Sequence, residues 1–161
     1  MAAKRADTVS RIIAAPPRTL YHAFLDREAV ASWRPPAGMK CEIYSFDPRE
    51  GGSFRMRFSY TETDHSLPGK TSEHSDVFRG RFLELVPAER IVEMVEFESG
   101  NPSFAGPMTV ITTFTAVLEG TRVTIRCENV PEGISAADHE AGIGSTLANL
   151  AAFAERRSHR P

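Results

Sequence analysis

The sequence has 161 residues, enough for one compact domain with little left for a second. Apolar residues make up 41% and charged residues 25%, a balance that supports a buried core, and no apolar run approaches the roughly 20 residues of a membrane-spanning helix. Formal net charge is −2, from 19 basic and 21 acidic side chains scattered along the chain, so no basic stripe is available to neutralise phosphates and no nucleic-acid partner is expected.

Met1-Ala2-Ala3-Lys4-Arg5 carries charge, but no apolar segment follows it. The expectation is therefore a cytoplasmic protein without a signal peptide. The first strand is read at Thr8–Ala14. Pro16 and Pro17 end it and suit the first turn of a helix, which has no intrahelical N–H bond to lose. Leu20, Ala23 and Phe24 give that helix an apolar stripe, and Asp26 caps a second short helix ending near Trp33. Arg34-Pro35-Pro36-Ala37-Gly38 breaks the helix and turns the chain.

From Met39 the apolar period becomes two. Strands are expected at Met39–Phe46, Ser53–Tyr60, Asp76–Val86, Arg90–Phe97, Met108–Leu118 and Arg122–Asn129. Phe54, Met56, Phe58 and Tyr60 alternate with Arg55, Arg57 and Ser59, the pattern of an antiparallel sheet covered on one face. Short turns such as Gly51-Gly52 and Glu119-Gly120 predict a meander rather than parallel crossovers. A long helix closes the chain at about Ala136–Arg157. Ser135 and Asp138 form a capping-box variant at its start, and Ile143, Leu147, Leu150 and Ala154 form its apolar stripe.

Chemistry is sparse. His22, His65, His74, His139 and His159 make no HExxH, and no Cys–His set has zinc spacing. His65, Glu73, His74 and Asp76 gather near one hairpin tip, where polar residues collect in any case. No nucleophile elbow, Walker loop or GxGxxG is present, so no catalytic residue, metal or cofactor is assigned. Cys41 and Cys127 have no CxxC spacing and are expected reduced in strands. Glu93 stands out because strand parity puts it with Ile91, Val95 and Phe97 on the apolar face. Gly142 and Gly144 interrupt the last helix, where each costs about 1 kcal/mol relative to alanine. They mark either a close helix–sheet approach, a kink, or space beside the helix.

Several landmarks occur in order along the chain. They are Ile13-Ala14-Ala15-Pro16, Leu20 with Ala23-Phe24, Ala31-Ser32-Trp33 and Pro36 with Gly38. Further along come Asp47-Pro48-Arg49-Glu50-Gly51-Gly52-Ser53-Phe54-Arg55, the run from Gly80 to Val92, Gly120-Thr121-Arg122-Val123-Thr124-Ile125, and Leu147-Ala148-Asn149-Leu150. Together they resemble the heat-shock-protein ATPase activator homologue-like family, in the START-like (SRPBCC, birch-pollen-allergen-like) superfamily. The resemblance implies one α+β helix-grip domain, with an ordered core of about residues 7–157. A curved antiparallel sheet of six or seven strands would wrap the last helix, two short helices would follow the first strand, and a cavity would lie under the last helix. One departure is Ile143 after Gly142, where the family commonly has an aromatic.

The expected function is binding of a small hydrophobic or amphipathic ligand. The expected lining is Trp33, Phe54, Met56, Phe58, Phe82, Met94, Val110, Thr112, Phe114, Ile143, Thr146, Leu147 and Leu150. An unrelaxed void of ~300 Å³ would cost roughly 7 kcal/mol, so side chains, water or ligand must fill such a space. Two alternatives stand beside it. One is an enzyme using Glu93 or His139 for acid–base chemistry in the same cavity. The other is a co-chaperone-like interaction domain in the stress response, with a chaperone partner or a second copy of itself, offering an apolar patch that includes Phe104. The tip from Thr61 to Ser75 is read as a lid or contact surface.

Overall fold

The computed structural model describes residues 5–61 and 75–158. The chain runs through β1 (Arg5–Ile13), α1 (Pro17–Ala23), α2 (Arg27–Trp33), β2 (Met39–Phe46) and β3 (Ser53–Tyr60). It continues through β4 (Ser75–Val86), β5 (Arg90–Phe97), β6 (Met108–Val117), β7 (Gly120–Val130) and α3 (Ala136–Ser158). The strands form one seven-stranded antiparallel sheet in the order β1-β7-β6-β5-β4-β3-β2. This is the expected meander, with the first strand closing on the last. Register shifts add an extra residue on β7 opposite β1, on β2 opposite β3 and on β4 opposite β5, and such bulges increase local twist and bend the sheet.

The helices begin where the sequence places their caps. Pro17 opens α1, and the Asp26 carboxylate accepts from the Glu28 and Ala29 amides at 3.0 and 3.2 Å to start α2. Ser135 Oγ accepts from the Asp138 amide at 3.1 Å at the head of α3. Leu20, Tyr21, Phe24, Val30 and Trp33 bury the two short helices against one end of the sheet. Ile143, Leu147, Leu150, Ala151 and Ala154 bury α3, whose closest neighbours are β1, α1 and α2.

Four strands differ from the periodicity at their ends: β4 starts one residue earlier at Ser75, β7 runs over Gly120–Val130 rather than Arg122–Asn129, and β1 and β6 differ as follows. β1 starts at Arg5 rather than Thr8, because the inward position next in line is Asp7, a polar residue that hides the alternation. β6 stops at Val117, and Leu118 sits 98% exposed on the turn. The Gly100–Pro107 loop contains a 3-10 turn, Pro102–Phe104, in which Phe104 is half-buried against the core. The outer face of the sheet carries Arg55–Glu98, Arg79–Glu96, Arg90–Glu84 and Arg126–Glu128 pairs. Exposed pairs of this kind stabilise by at most about 1 kcal/mol.

Gly80 is required by packing. A Cβ there would lie 2.4 Å from the Met94 carbonyl oxygen and 2.4 Å from the Phe54 ring, which lies across the β4 backbone. Gly80→Val is therefore expected to destabilise the fold by about 1–3 kcal/mol, the usual cost of overpacking, read as a lower midpoint in urea denaturation. An unchanged midpoint would refute this packing account.

Candidate functional site

Cross-strand register places Phe82, Glu93, Val110, Cys127 and Asp7 side by side on the concave face, from β4 across to β1. Glu93 stands between Phe82 and Val110 in that row and is 1% exposed. Its counter-charge is Arg34, the residue that ends α2. Arg34 Nη1 donates to Glu93 Oε2 at 2.9 Å, and Nη2 donates to Oε1 at 3.4 Å. The same guanidinium lies 5.6 Å from the Phe54 ring centre and 6.0 Å from that of Phe78. Arg34 keeps 13% exposure, so the acid forms the floor and the base sits nearer solvent.

Three side chains of α3 hold the segment that carries Arg34. Thr146 Oγ1 donates to the Arg34 carbonyl at 2.9 Å, and Asn149 Nδ2 donates to the Pro35 carbonyl at 2.8 Å. Ser145 Oγ accepts from the Ala37 amide at 2.8 Å. The polar flank of α3 is thus a clamp on the turn after α2.

Exposure along the concave face is graded. On β3, Phe54 and Met56 are buried while Phe58 and Tyr60 are half-buried. On β5, Ile91, Glu93 and Val95 are buried and Phe97 is half-buried. One end is closed by α1 and α2, where Phe114 meets Tyr21 and Phe24 edge-on. The other end presents Phe58, Phe78 and Phe97 as an edge-to-face cluster, with Cys41 opposite Phe58. Gly142 and Gly144 flank the buried stripe of α3, and an added Cβ at either meets no described atom within 4 Å. Close helix–sheet contact therefore does not explain these glycines. Open space does.

A separate cleft of about 290 Å³ opens between the Pro35–Met39 turn and the second half of α3. Among the expected lining residues, Trp33 alone borders it.

The far end of the polar row is also tied down. Asp7 accepts from Arg5 at 2.9 and 3.1 Å and pairs with His139 Nδ1 at 2.8 Å, while Arg5 also donates to the Ile134 carbonyl. Burial alone would raise the Asp7 pKa, but the Arg5 and His139 hydrogen bonds and charges hold it below the usual carboxylate value. Between the two acids, burial pushes the Cys127 thiol up to about 12, with Glu93 and Asp7 adding to the effect and Arg34 opposing it. Burial pushes Cys41 up to about 11, with Arg34 again opposing. Both thiols are therefore protonated and poorly nucleophilic at neutral pH. Both are free.

The family model described as Activator of Hsp90 ATPase homolog 1-like protein matches residues 14–155. The chain belongs to this family. A crystal structure from Chromobacterium violaceum is similar at 33% identity and a TM-score of 0.81, covering 93% of this chain and 97% of that one. A Rhodobacter sphaeroides protein gives 17% identity and a TM-score of 0.74, with 97% and 95% covered. An AHSA1-like protein from Aeromonas hydrophila gives 16% and 0.72, with 98% of each chain covered. The last two, at such identities, establish the fold alone. The search of curated proteins returned no match.

Within this Activator of Hsp90 ATPase homolog 1-like fold, the expected lining residues separate into groups. Met56, Val110, Thr112 and Ile143 are buried on the inner side, and Phe58 is half-buried at the open end. Phe54 and Phe82 pack against each other, with ring centres 5.1 Å apart. Trp33 and Phe114 belong to the closed end, where Trp33 Nε1 donates to the Ala23 carbonyl at 3.1 Å. Leu147 and Leu150 are fully buried helix contacts, and Thr146 clamps Arg34. Met94 is a correction: the pleat turns it to the face opposite Ile91, Glu93 and Val95, away from α3. His65, Glu73 and His74 lie outside the described residues, and the Thr61–Ser75 tip lies outside them except for its two ends; Asp76 is buried on β4. Among the described residues, no group of acids, histidines and cysteines is placed to hold a metal.

Arg34, Phe78 and Phe97 were absent from the expected set. Arg34 had a signal: an inward Glu93 needs a positive partner, and Arg34 directly follows a buried tryptophan.

Two outcomes follow from the charges. Glu93→Ala would leave a largely buried guanidinium without its partner and is expected to cost about 3–5 kcal/mol in urea denaturation. Arg34→Met/Glu93→Leu removes both charges and is expected to fall within about 1 kcal/mol of wild type or above it. A double variant as unstable as the single one would contradict this. For Asp7, the folded pKa lies below the unfolded one, so its stabilisation is full above about pH 4 and is lost as pH falls through the folded value. Asp7→Asn should lower the melting temperature at neutral pH. It should also flatten the decline in stability between about pH 5 and about pH 2, and an unaltered decline would count against the Asp7 contribution.

Proposed function

We propose that the protein binds a small hydrophobic or amphipathic molecule between α3 and the open end of the concave face. The observation that carries this is the exposure gradient: inward-facing Phe58 and Phe97 are half-buried at the open end, while Phe54, Met56 and Ile91 further along the same face are fully buried. Large apolar side chains facing such a space favour an apolar occupant, since each ~25 Å² of apolar surface removed from water contributes about 0.6 kcal/mol. Arg34 and its bound Glu93 supply a polar anchor at the inner limit of that surface.

Membership in the Activator of Hsp90 ATPase homolog 1-like family supports this reading through the fold, which holds a long helix across a concave sheet. The acid–base enzyme reading is less well supported. Glu93 has both carboxylate oxygens on Arg34, and His139 pairs with Asp7 on the far edge strand, so the two candidate groups are not gathered at one site. The interaction-domain reading is less well supported, because Phe104 is half-buried against the core and beside Gly133.

The neutral fluorophore N-phenyl-1-naphthylamine should brighten on titration with the protein. Gly142→Leu, which places a side chain in the open space, should weaken that binding at least tenfold (about 1.4 kcal/mol) while leaving the circular dichroism spectrum unchanged. A wild-type protein that takes up no fluorophore, and carries no bound molecule in native mass spectrometry, would end this reading.

A further inference from the structure

The buried ion pair limits which polar group an occupant can bring. This inference rests on the binding reading above and concerns the chemistry of the ligand's head. A guanidinium has five N–H donors, and Arg34 uses one from each terminal nitrogen on Glu93. The remaining donors sit on a group that keeps 13% exposure beside the Phe54 and Phe78 rings. Phe78 stacks edge-on with Phe58 and Phe97, so the guanidinium borders the open end of the concave face, and Thr146, one helical turn after Gly142, holds the Arg34 carbonyl. Charge decides what fits there. Arg34 is already neutralised by Glu93 at 2.9 Å, and Glu93 is 1% exposed. A ligand carboxylate would put a second negative charge near a buried carboxylate, with one positive charge shared between them. A neutral oxygen acceptor takes an N–H from Arg34 without that penalty.

We infer that Glu93 makes the site selective for hydrophobic molecules bearing a neutral hydrogen-bond acceptor, such as a ketone, ester or alcohol, over hydrophobic carboxylates. Glu93 is here a specificity residue that acts by setting the charge on Arg34. Removing its charge converts Arg34 into an unpaired cation, which favours a carboxylate.

The test is displacement of N-phenyl-1-naphthylamine by decan-2-one and by decanoate, at pH 8, on wild type and on Glu93→Gln. The wild type should prefer decan-2-one. In Glu93→Gln the ratio of the two affinities should move at least tenfold toward decanoate. Because both competitors have the same carbon count, the change in ratio between proteins reports the head group and not general greasiness. An unmoved ratio, or a wild type that prefers decanoate, would overturn the selectivity inference while leaving the binding reading intact. Failure of the fluorophore itself to bind wild type would overturn both. Should Glu93→Gln fail to fold, Arg34→Met/Glu93→Leu gives the second measurement. It should lose about tenfold in affinity for decan-2-one and none for dec-1-ene, which has no acceptor. Equal losses for the two would refute a role for Arg34 in recognising the head group.

Discussion

Glu93 leaves a central strand on its inner side, between Phe82 and Val110, and neither neighbouring strand supplies a charge to meet it. A lone carboxylate in that position would cost several kcal/mol. The compensation comes from Arg34, 59 positions earlier in the chain, and much of the surrounding architecture follows from delivering it. α2 must end where its last turn looks down onto the sheet. The Pro35-Pro36 turn must then carry the chain back to β2, and its free carbonyls are taken up by Thr146 and Asn149. The polar flank of a helix that otherwise buries apolar residues is thereby accounted for.

The same logic operates at the other end of the concave row. Asp7 is as buried as a core side chain, and it is met by Arg5 from its own strand and His139 from the first turn of α3. The long helix is therefore fastened at its head through Asp7 and along its middle through the Arg34 turn, with the apolar stripe between them. Cys127 sits between the two acids without taking part in either pair. Ile143 still packs into the core in that stretch, whereas a Cβ added at Gly142 beside it would meet no described atom within 4 Å.

Much of this was legible in the sequence, and the exceptions have physical causes. β2, β3 and β5 match their expected limits because alternation and turn residues act locally. β1 was shortened because Asp7 occupies an inward position, and period-two reasoning counts a polar residue there as a break. Glu93 was correctly seen to face inward, whereas its partner was read only as part of a turn. Strand parity is a short-range property, but an ion pair between residues 34 and 93 is fixed by tertiary geometry. Met94 went to the wrong face when it was grouped by hydrophobicity rather than by its place in the pleat. Thr146 was read as a contact for a ligand, and its hydroxyl instead serves the backbone of Arg34. The glycines at 142 and 144 have three meanings in sequence, and the choice among them depends on what the fold packs beside them, which is nothing within 4 Å of an added Cβ.

The graded burial along β3 and β5 has a bearing on how such a protein can diversify. Residues that close the interior, such as Phe54, Phe82 and Ile91, are remote along their strands from Phe58 and Phe97. Substitutions at the open end therefore fall on half-buried side chains that contribute least to the folded state. Such a division lets lineages change the surface at the mouth of the sheet while drawing little on a marginal stability reserve. A scaffold of this kind can alter that surface over evolutionary time without being rebuilt.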